Sequence, residues 1–230
     1  MLLTMLQNSE DLLTESISEE KTLSIYKLIM DGGVGGQVII AILIVLLAVA
    51  LYIYFERFFA IKAASKTDSN FMNQIRDHVS HGKLDSAKVL CAQVNSPASH
   101  LIEKGISRIG KPLADINTAI ENAGRLEIYK LEKNVPVLAT IAGAAPMIGF
   151  LGTVIGMIIA IHEIANAGGQ IDIKMLSDGL YTAMTTTVAG LIVGIISYIQ
   201  YNHLVVRTNK VVYEMEAKSV EFLDLLNEPI

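Results

Sequence analysis

Residues Val135–Ile161 read VPVLATIAGAAPMIGFLGTVIGMIIAI, 27 residues without a single charge. A bilayer core takes about 20 helical residues at about 1.5 Å each, so this run is long enough to cross it. A second run, Gly179–Asn202, reads GLYTAMTTTVAGLIVGIISYIQYN and has the same property. A third lies earlier: Val38–Phe55 is 18 residues without a charge, and the uncharged stretch already begins at Gly32. Backbone groups in lipid must be paired within the segment, so all three runs are read as helices. The fold class is an all-α membrane protein with three transmembrane helices and long cytoplasmic helical extensions.

Composition agrees with that reading. The chain of 230 residues is 52% hydrophobic and 18% charged, where a soluble domain carries about a quarter charged residues. The apolar excess sits in the three runs rather than being spread evenly. Sidedness, not the net charge of −5, is what the charges report. Two basic residues, Lys21 and Lys27, precede the first run, twelve lie between the first and second, Lys174 lies between the second and third, and three follow. Arg57, Lys62, Lys66, Arg125, Lys130 and Lys133 all flank membrane. Basic residues near span ends stay in the cytoplasm, which predicts the N-terminus outside and the C-terminus inside. The first charges of the chain are acidic (Glu10, Asp11, Glu15), so the first span is expected to be an uncleaved anchor.

The expected segments are an extracytoplasmic stretch (1–31), a first span (32–56), a cytoplasmic helical loop (57–133), a second span (134–162), a short outer loop (163–178), a third span (179–204) and a cytoplasmic tail helix (205–230). Within the first segment, Leu23–Ile29 is expected to form a short surface helix. In the loop, helices are expected over Asn70–Ser80 and Asp85–Gln93. A third should start at Ser96-Pro97, an N-cap followed by proline at the first helical position, and run to Gly110. From Pro112 no stop signal is evident before Ile161, which predicts one helix of nearly 50 residues, about 75 Å at 1.5 Å each, bent at Pro136 and Pro146. Cys91 is the only cysteine, which excludes an intrachain disulfide, and is read as a small buried apolar residue.

The chemistry of the spans is hydroxyl chemistry. Neither Val135–Ile161 nor Gly179–Asn202 contains Asp, Glu, Lys, Arg or His. Intramembrane ionisable groups are the usual proton carriers, so any titrating group for proton passage has to come from a partner. What the spans do hold is Thr153 and the cluster Thr182, Thr185, Thr186 and Thr187. That cluster is too polar to face lipid on every side and is read as facing a protein interior or an ion path. The packing alternative is that each threonine bonds the carbonyl four residues back in its own helix. Small residues form a ladder of Gly149, Gly152 and Gly156, with Gly190 and Gly194 on the third span. Such spacing lets helix backbones approach closely, either within one chain or between subunits. His162 and His203 mark opposite membrane edges. No nucleotide loop, metal cluster or nucleophilic triad is present, so an enzyme is not expected, nor a metal or cofactor.

Two stretches carry a family likeness. The segment Ala145–Met157 (APMIGFLGTVIGM) resembles the hallmark of the MotA/TolQ/ExbB proton channel family, ExbB/TolQ-like branch. Thr187-Val188-Ala189-Gly190-Leu191, followed by Tyr201-Asn202, resembles that family's next helix. The likeness covers roughly Leu126 to His203. It implies a bacterial inner-membrane subunit that uses an ion gradient for mechanical work, assembled as a pentameric ring around a single-span ExbD/TolR-like partner bearing a membrane aspartate. Force would pass to a TonB- or TolA-like protein for outer-membrane transport or maintenance. Thr153 and Thr187 match the family's threonines and would line the path, with Thr186 and Thr182 beside them. Many ExbB-like chains carry glutamate where this one has Thr182. The transported ion is H⁺ by resemblance, and hydroxyls serve Na⁺ as well. Two alternatives stay open: a MotA-like stator subunit, and a membrane scaffold without ion flux.

Overall fold

The structure, a computed structural model, describes residues 33–65, 70–166 and 173–227. The expected surface helix near the N-terminus, residues 167–172 of the expected outer loop and the last three residues lie outside them. Seven helices are described: α1 Gly33–Ala64, α2 Phe71–Ser80, α3 Leu84–Val94, α4 Pro97–Ile106, α5 Leu113–Glu132, α6 Val135–Asn166 and α7 Ile173–Asn227. There is no strand among the described residues. By length and composition, α1, α6 and α7 can each cross a membrane. α7 continues unbroken for 55 residues, from the third apolar run into the amphipathic tail.

The chain divides into two compact units. One comprises the described part of Met1–Ala41 with Gly149–Val188; the other comprises Ile42–Ile148 with Ala189 onward. In the first, Gly35 on α1 lies beside Ile155, whose Cγ2 is 3.6 Å from where a Cβ would stand. The rest of that unit is the α6–α7 contact described below.

The second unit is built around α2 to α5, which pack successively, each on the next. The reasons are local. Gly82 takes φ 71° and ends α2, its N–H bonding Val79 O at 3.0 Å. Ser96 and Ser99 open α4 by exchanging bonds, Ser99 N–H to Ser96 Oγ (3.2 Å) and Ser96 N–H to Ser99 Oγ (2.9 Å), with Pro97 in the first helical position. α4 then stops at Ile106, four residues before the expected Gly110, in a series of turns that includes Arg108 N–H to Gly105 O at 2.9 Å. Phe71, Ile75, Cys91, Ile102 and Ile106 are fully or almost fully buried. The tail of α7 closes this core: a Cβ on Gly105 would stand 2.5 Å from Phe222 Cε1 and 2.9 Å from Ile120 Cδ1. Arg57, 9% exposed, donates from Nη1 to Lys130 O at 3.1 Å and pairs with Glu56. It thereby satisfies a carbonyl in the last turn of α5.

One expectation is corrected here. The long helix from Pro112 is not continuous: α5 ends at Glu132 and α6 begins at Val135, so Pro136 does not bend a helix but occupies the first turn of a new one. Proline lacks an N–H and its ring would collide with the carbonyl of Glu132 four residues back, whereas in a first turn neither matters. Asn134 makes the break, taking φ 64°, a left-handed conformation that asparagine tolerates better than most side chains. Pro146, by contrast, does lie inside α6.

Candidate functional site

In the first unit, α6 and α7 meet through small residues, and the closeness follows from side chains that are not there. A Cβ on Gly152 would stand 2.7 Å from Thr186 Cβ; one on Gly179 would stand 2.6 Å from Ala160 Cβ. At Gly156 it would be 3.3 Å from both Ala183 Cβ and Gly179 O. Gly152 and Gly156 therefore serve the chain's own helix pair, and the hydroxyls of each helix come within reach of the other's backbone.

Thr153 and Thr187 use that reach. Thr153 Oγ1 donates to Ala183 O at 3.1 Å, and Thr187 Oγ1 donates to Gly149 O at 3.2 Å. The two hydroxyls also contact each other. A hydroxyl has one proton and two lone pairs, so two protons serve three contacts. Either Thr153 donates to Ala183 O and accepts from Thr187, or Thr187 donates to Gly149 O and accepts from Thr153. The pair is reversible without any change in the helices. Both residues are half-buried.

The neighbouring threonines behave differently. Thr185 Oγ1 bonds Tyr181 O at 2.8 Å, four residues back in its own helix, as the packing alternative holds. Thr186 is fully buried against Gly152 and bonds Ala183 O at 2.9 Å. Thr182 lies in α7, with its side chain outside the described residues. Gly149 contributes its carbonyl rather than only its lack of a side chain.

In the second unit, Gly190 is buried, and Gly194 accommodates Pro146. A Cβ there would stand 2.6 Å from the proline ring and 3.1 Å from Ala142 O, the carbonyl that the proline leaves without its helical donor. Beside them lies an apolar groove of about 490 Å³ with Ala139, Ala142, Leu191 and Ile195 in its wall and Tyr198 and Tyr201 at one end.

A cluster that the sequence marks only in part surrounds His203. Its Nδ1 is 2.8 Å from Tyr54 Oη, and Arg207 Nε donates to its Nε2 at 2.9 Å. Arginine has only protons to offer, so Nε2 is the acceptor, and a neutral His203 carries its proton on Nδ1 toward Tyr54. The Arg207 guanidinium lies 4.8 Å from the centroid of Phe58. His203 is legible in the sequence as an edge residue; Tyr54 and Phe58 lie about 150 positions away along the chain, and no local spacing announces that contact. No group of His, Cys, Asp and Glu fit to hold a metal occurs among the described residues.

Residues 93–217, more than half of the chain, match the model of the MotA/TolQ/ExbB proton channel family. Among its relatives, the Tol-Pal system protein TolQ of Haemophilus influenzae is 33% identical over 135 residues, 59% of this chain and 54% of that protein. The biopolymer transport protein ExbB of Aquifex aeolicus is 36% identical over 103 residues, 44% of this chain and 69% of that protein. TolQ of Pseudomonas aeruginosa is 22% identical over 218 residues, 90% of this chain and 94% of that protein. The chain thus spans about half the length of the first of these relatives. With two uncharged runs, one in α6 and one in α7, joined through paired threonines inside the matched region, the chain belongs to the MotA/TolQ/ExbB proton channel family.

Proposed function

We propose that this multi-pass membrane protein is the ion-conducting subunit of an ExbB/TolQ-like motor in a bacterial inner membrane, with the N-terminus outside and the C-terminus inside. It works as a pentameric ring around a single-span partner of the ExbD/TolR type, whose membrane aspartate supplies the titrating group that this chain's second and third spans lack. Proton flow moves the partner and delivers force to a TonB- or TolA-like protein. A charge falling through about 150 mV releases roughly 3.5 kcal/mol, several times the thermal energy.

The observation that carries this reading is the reversible Thr153–Thr187 pair. Two hydroxyls that exchange donor and acceptor roles can offer a proton to a carboxylate or a lone pair to a hydrated proton without titrating. Thr182 and Thr186 act beside that pair rather than within it.

The test is flux. The chain is reconstituted in vesicles with its partner, and proton uptake is followed under an imposed potential. Thr153→Val and Thr187→Val should each keep assembly with the partner and lose most of the flux. Full flux in the doubly substituted protein would reduce the pair to a packing contact.

A further inference from the structure

The buried face of α7 in the second unit repeats at helical spacing through Val193, Ser197, Gln200, Leu204, Thr208 and Val211, none more than 9% exposed. Half of these are polar. Ser197 is fully buried, Thr208 is 2% exposed and Gln200 9%. Ser197 Oγ, Gln200 Oε1 and Thr208 Oγ1 have no hydrogen-bond partner among the described residues, and neither has Nε of Arg57. Other polar side chains of the helix satisfy themselves locally. Asn202 bonds Tyr198 O at 2.8 Å and Ser219 bonds Met215 O at 2.9 Å. The three buried oxygens do not follow that pattern.

Their positions fall into two levels. Ser197 and Gln200 are three residues apart, a rise of about 4.5 Å on one face. Arg57 and Thr208 stand at the second level, as their neighbours show. Tyr54 and Phe58 of α1 touch His203 and Arg207 of α7; Arg57 directly precedes Phe58 and Thr208 directly follows Arg207. An unpartnered donor on α1 therefore lies at about the same height as an unpartnered hydroxyl on α7.

A buried polar atom without a partner loses its hydration for nothing in return. The ligand that answers both levels is small, uncharged, and able to donate and accept at once. Gln200 Oε1 can only accept, the Ser197 and Thr208 hydroxyls can each donate or accept, and Arg57 Nε can only donate. A cation would suit the first level but would meet the Arg57 guanidinium at the second, and an anion would meet the Gln200 amide oxygen at the first. Water fits both. We infer that the buried polar seam of α7 binds internal water at two levels, one molecule donating to Ser197 Oγ and Gln200 Oε1, another accepting from Arg57 Nε and donating to Thr208 Oγ1. Buried waters making about three hydrogen bonds to such atoms are a normal part of protein interiors. This site shares no residue with the Thr153–Thr187 pair and stands independently of the ion-path reading.

The test is water-to-protein magnetisation transfer by solid-state NMR on the isotope-labelled full chain in lipid vesicles, with Ala50 and Leu43, both fully buried and apolar, as dry references. Transfer should reach Ser197 and Thr208 within mixing times at which Ala50 and Leu43 receive none. Gln200→Met keeps the volume and removes the acceptor; it should slow transfer to Ser197 severalfold, leave Thr208 unchanged and lower Tm by a few degrees. Ser197→Ala provides the same comparison should Gln200→Met fold poorly. Transfer to Ser197 and Thr208 no faster than to Ala50, or a Tm that rises in both variants as removal of dry unpaired groups would cause, overturns the inference.

Discussion

Thr153 and Thr187 each reach the carbonyl that lies four residues before the other: Thr153 Oγ1 stands 3.1 Å from Ala183 O, Thr187 Oγ1 3.2 Å from Gly149 O. Each carbonyl is the one that accepts the backbone N–H of the opposite threonine in its own helix, so each hydroxyl reinforces the partner helix at the partner's position. Interhelical bonds of this kind in membranes contribute about 0.6 kcal/mol on average and up to about 1.7. Thr153→Val and Thr187→Val should each destabilise the helix pair by about 1 kcal/mol. Because the hydroxyl–hydroxyl contact is lost in either, the double substitution should cost less than the sum. Unfolding of all four forms in one detergent measures the coupling; strictly additive costs would show that the hydroxyls act separately.

Gly152 and Thr186 form a matched pair of absence and bulk. A Cβ at position 152 would stand 2.7 Å from Thr186 Cβ, which leaves no room for alanine. Gly152→Ala should lower Tm by several degrees, and Thr186→Gly in the same chain should restore most of it by removing the opposing Cβ. The same geometry decides what bulk at Gly156 tests. Ala183 Cβ and Gly179 O stand 3.3 Å away, so Gly156→Leu should disrupt the chain's own α6–α7 contact before any contact between subunits. Thermal unfolding of the single and double forms decides both points.

The helices are legible in the sequence because lipid and local chemistry dictate them. An uncharged run of 27 residues leaves few conformations open, and Ser96-Pro97 announces a helix start by capping geometry alone. The break at Asn134 is not legible, since asparagine is also an ordinary helix residue; only its left-handed φ, beside the proline two residues on, reveals the stop. The site is legible as composition and not as connection. Thr153 and Thr187 stand in the expected helices, but a reach across to a neighbour's carbonyl depends on how closely Gly152 and Gly156 let the backbones approach. Ser197 and Gln200 are hidden for a related reason: a polar side chain on a helix shows its lack of partners only once its neighbours are in place.

Cys91 offers a pH-dependent readout away from the spans. Burial, with Glu103 adding to it, pushes the thiol from 9.0 up to about 12. The thiolate is the reactive form, so the folded protein should resist maleimide and iodoacetamide at pH 8, while denatured protein is labelled fully. The folded value is raised, so Cys91 contributes stability that is complete below about pH 9 and is lost as pH rises from there toward about 12. Cys91→Ala should flatten that alkaline decline. Rapid labelling of native protein at pH 8 would mean the α3–α4 core opens far more often than its burial suggests.

Asn134 tests whether the break between α5 and α6 is imposed by the backbone. At φ 64° a β-branched side chain is strained, and glycine is at ease. Asn134→Gly should leave Tm within about a degree of the parent protein, since relief of strain and added freedom in the unfolded chain oppose each other. Asn134→Val should lower it by several degrees. Pro136→Ala isolates the other half of the argument, because it removes the ring that prevents α5 from continuing through the junction. Combined with Asn134→Ala, it should raise helix content by only the few residues now outside α5 and α6 while lowering Tm, because a continuous helix would pull Arg57 Nη1 from its 3.1 Å bond to Lys130 O. Far-UV circular dichroism and thermal unfolding measure the two effects separately. A double variant that gains helix and also gains stability would show that the junction is not held by these contacts and that Asn134 and Pro136 alone impose the break.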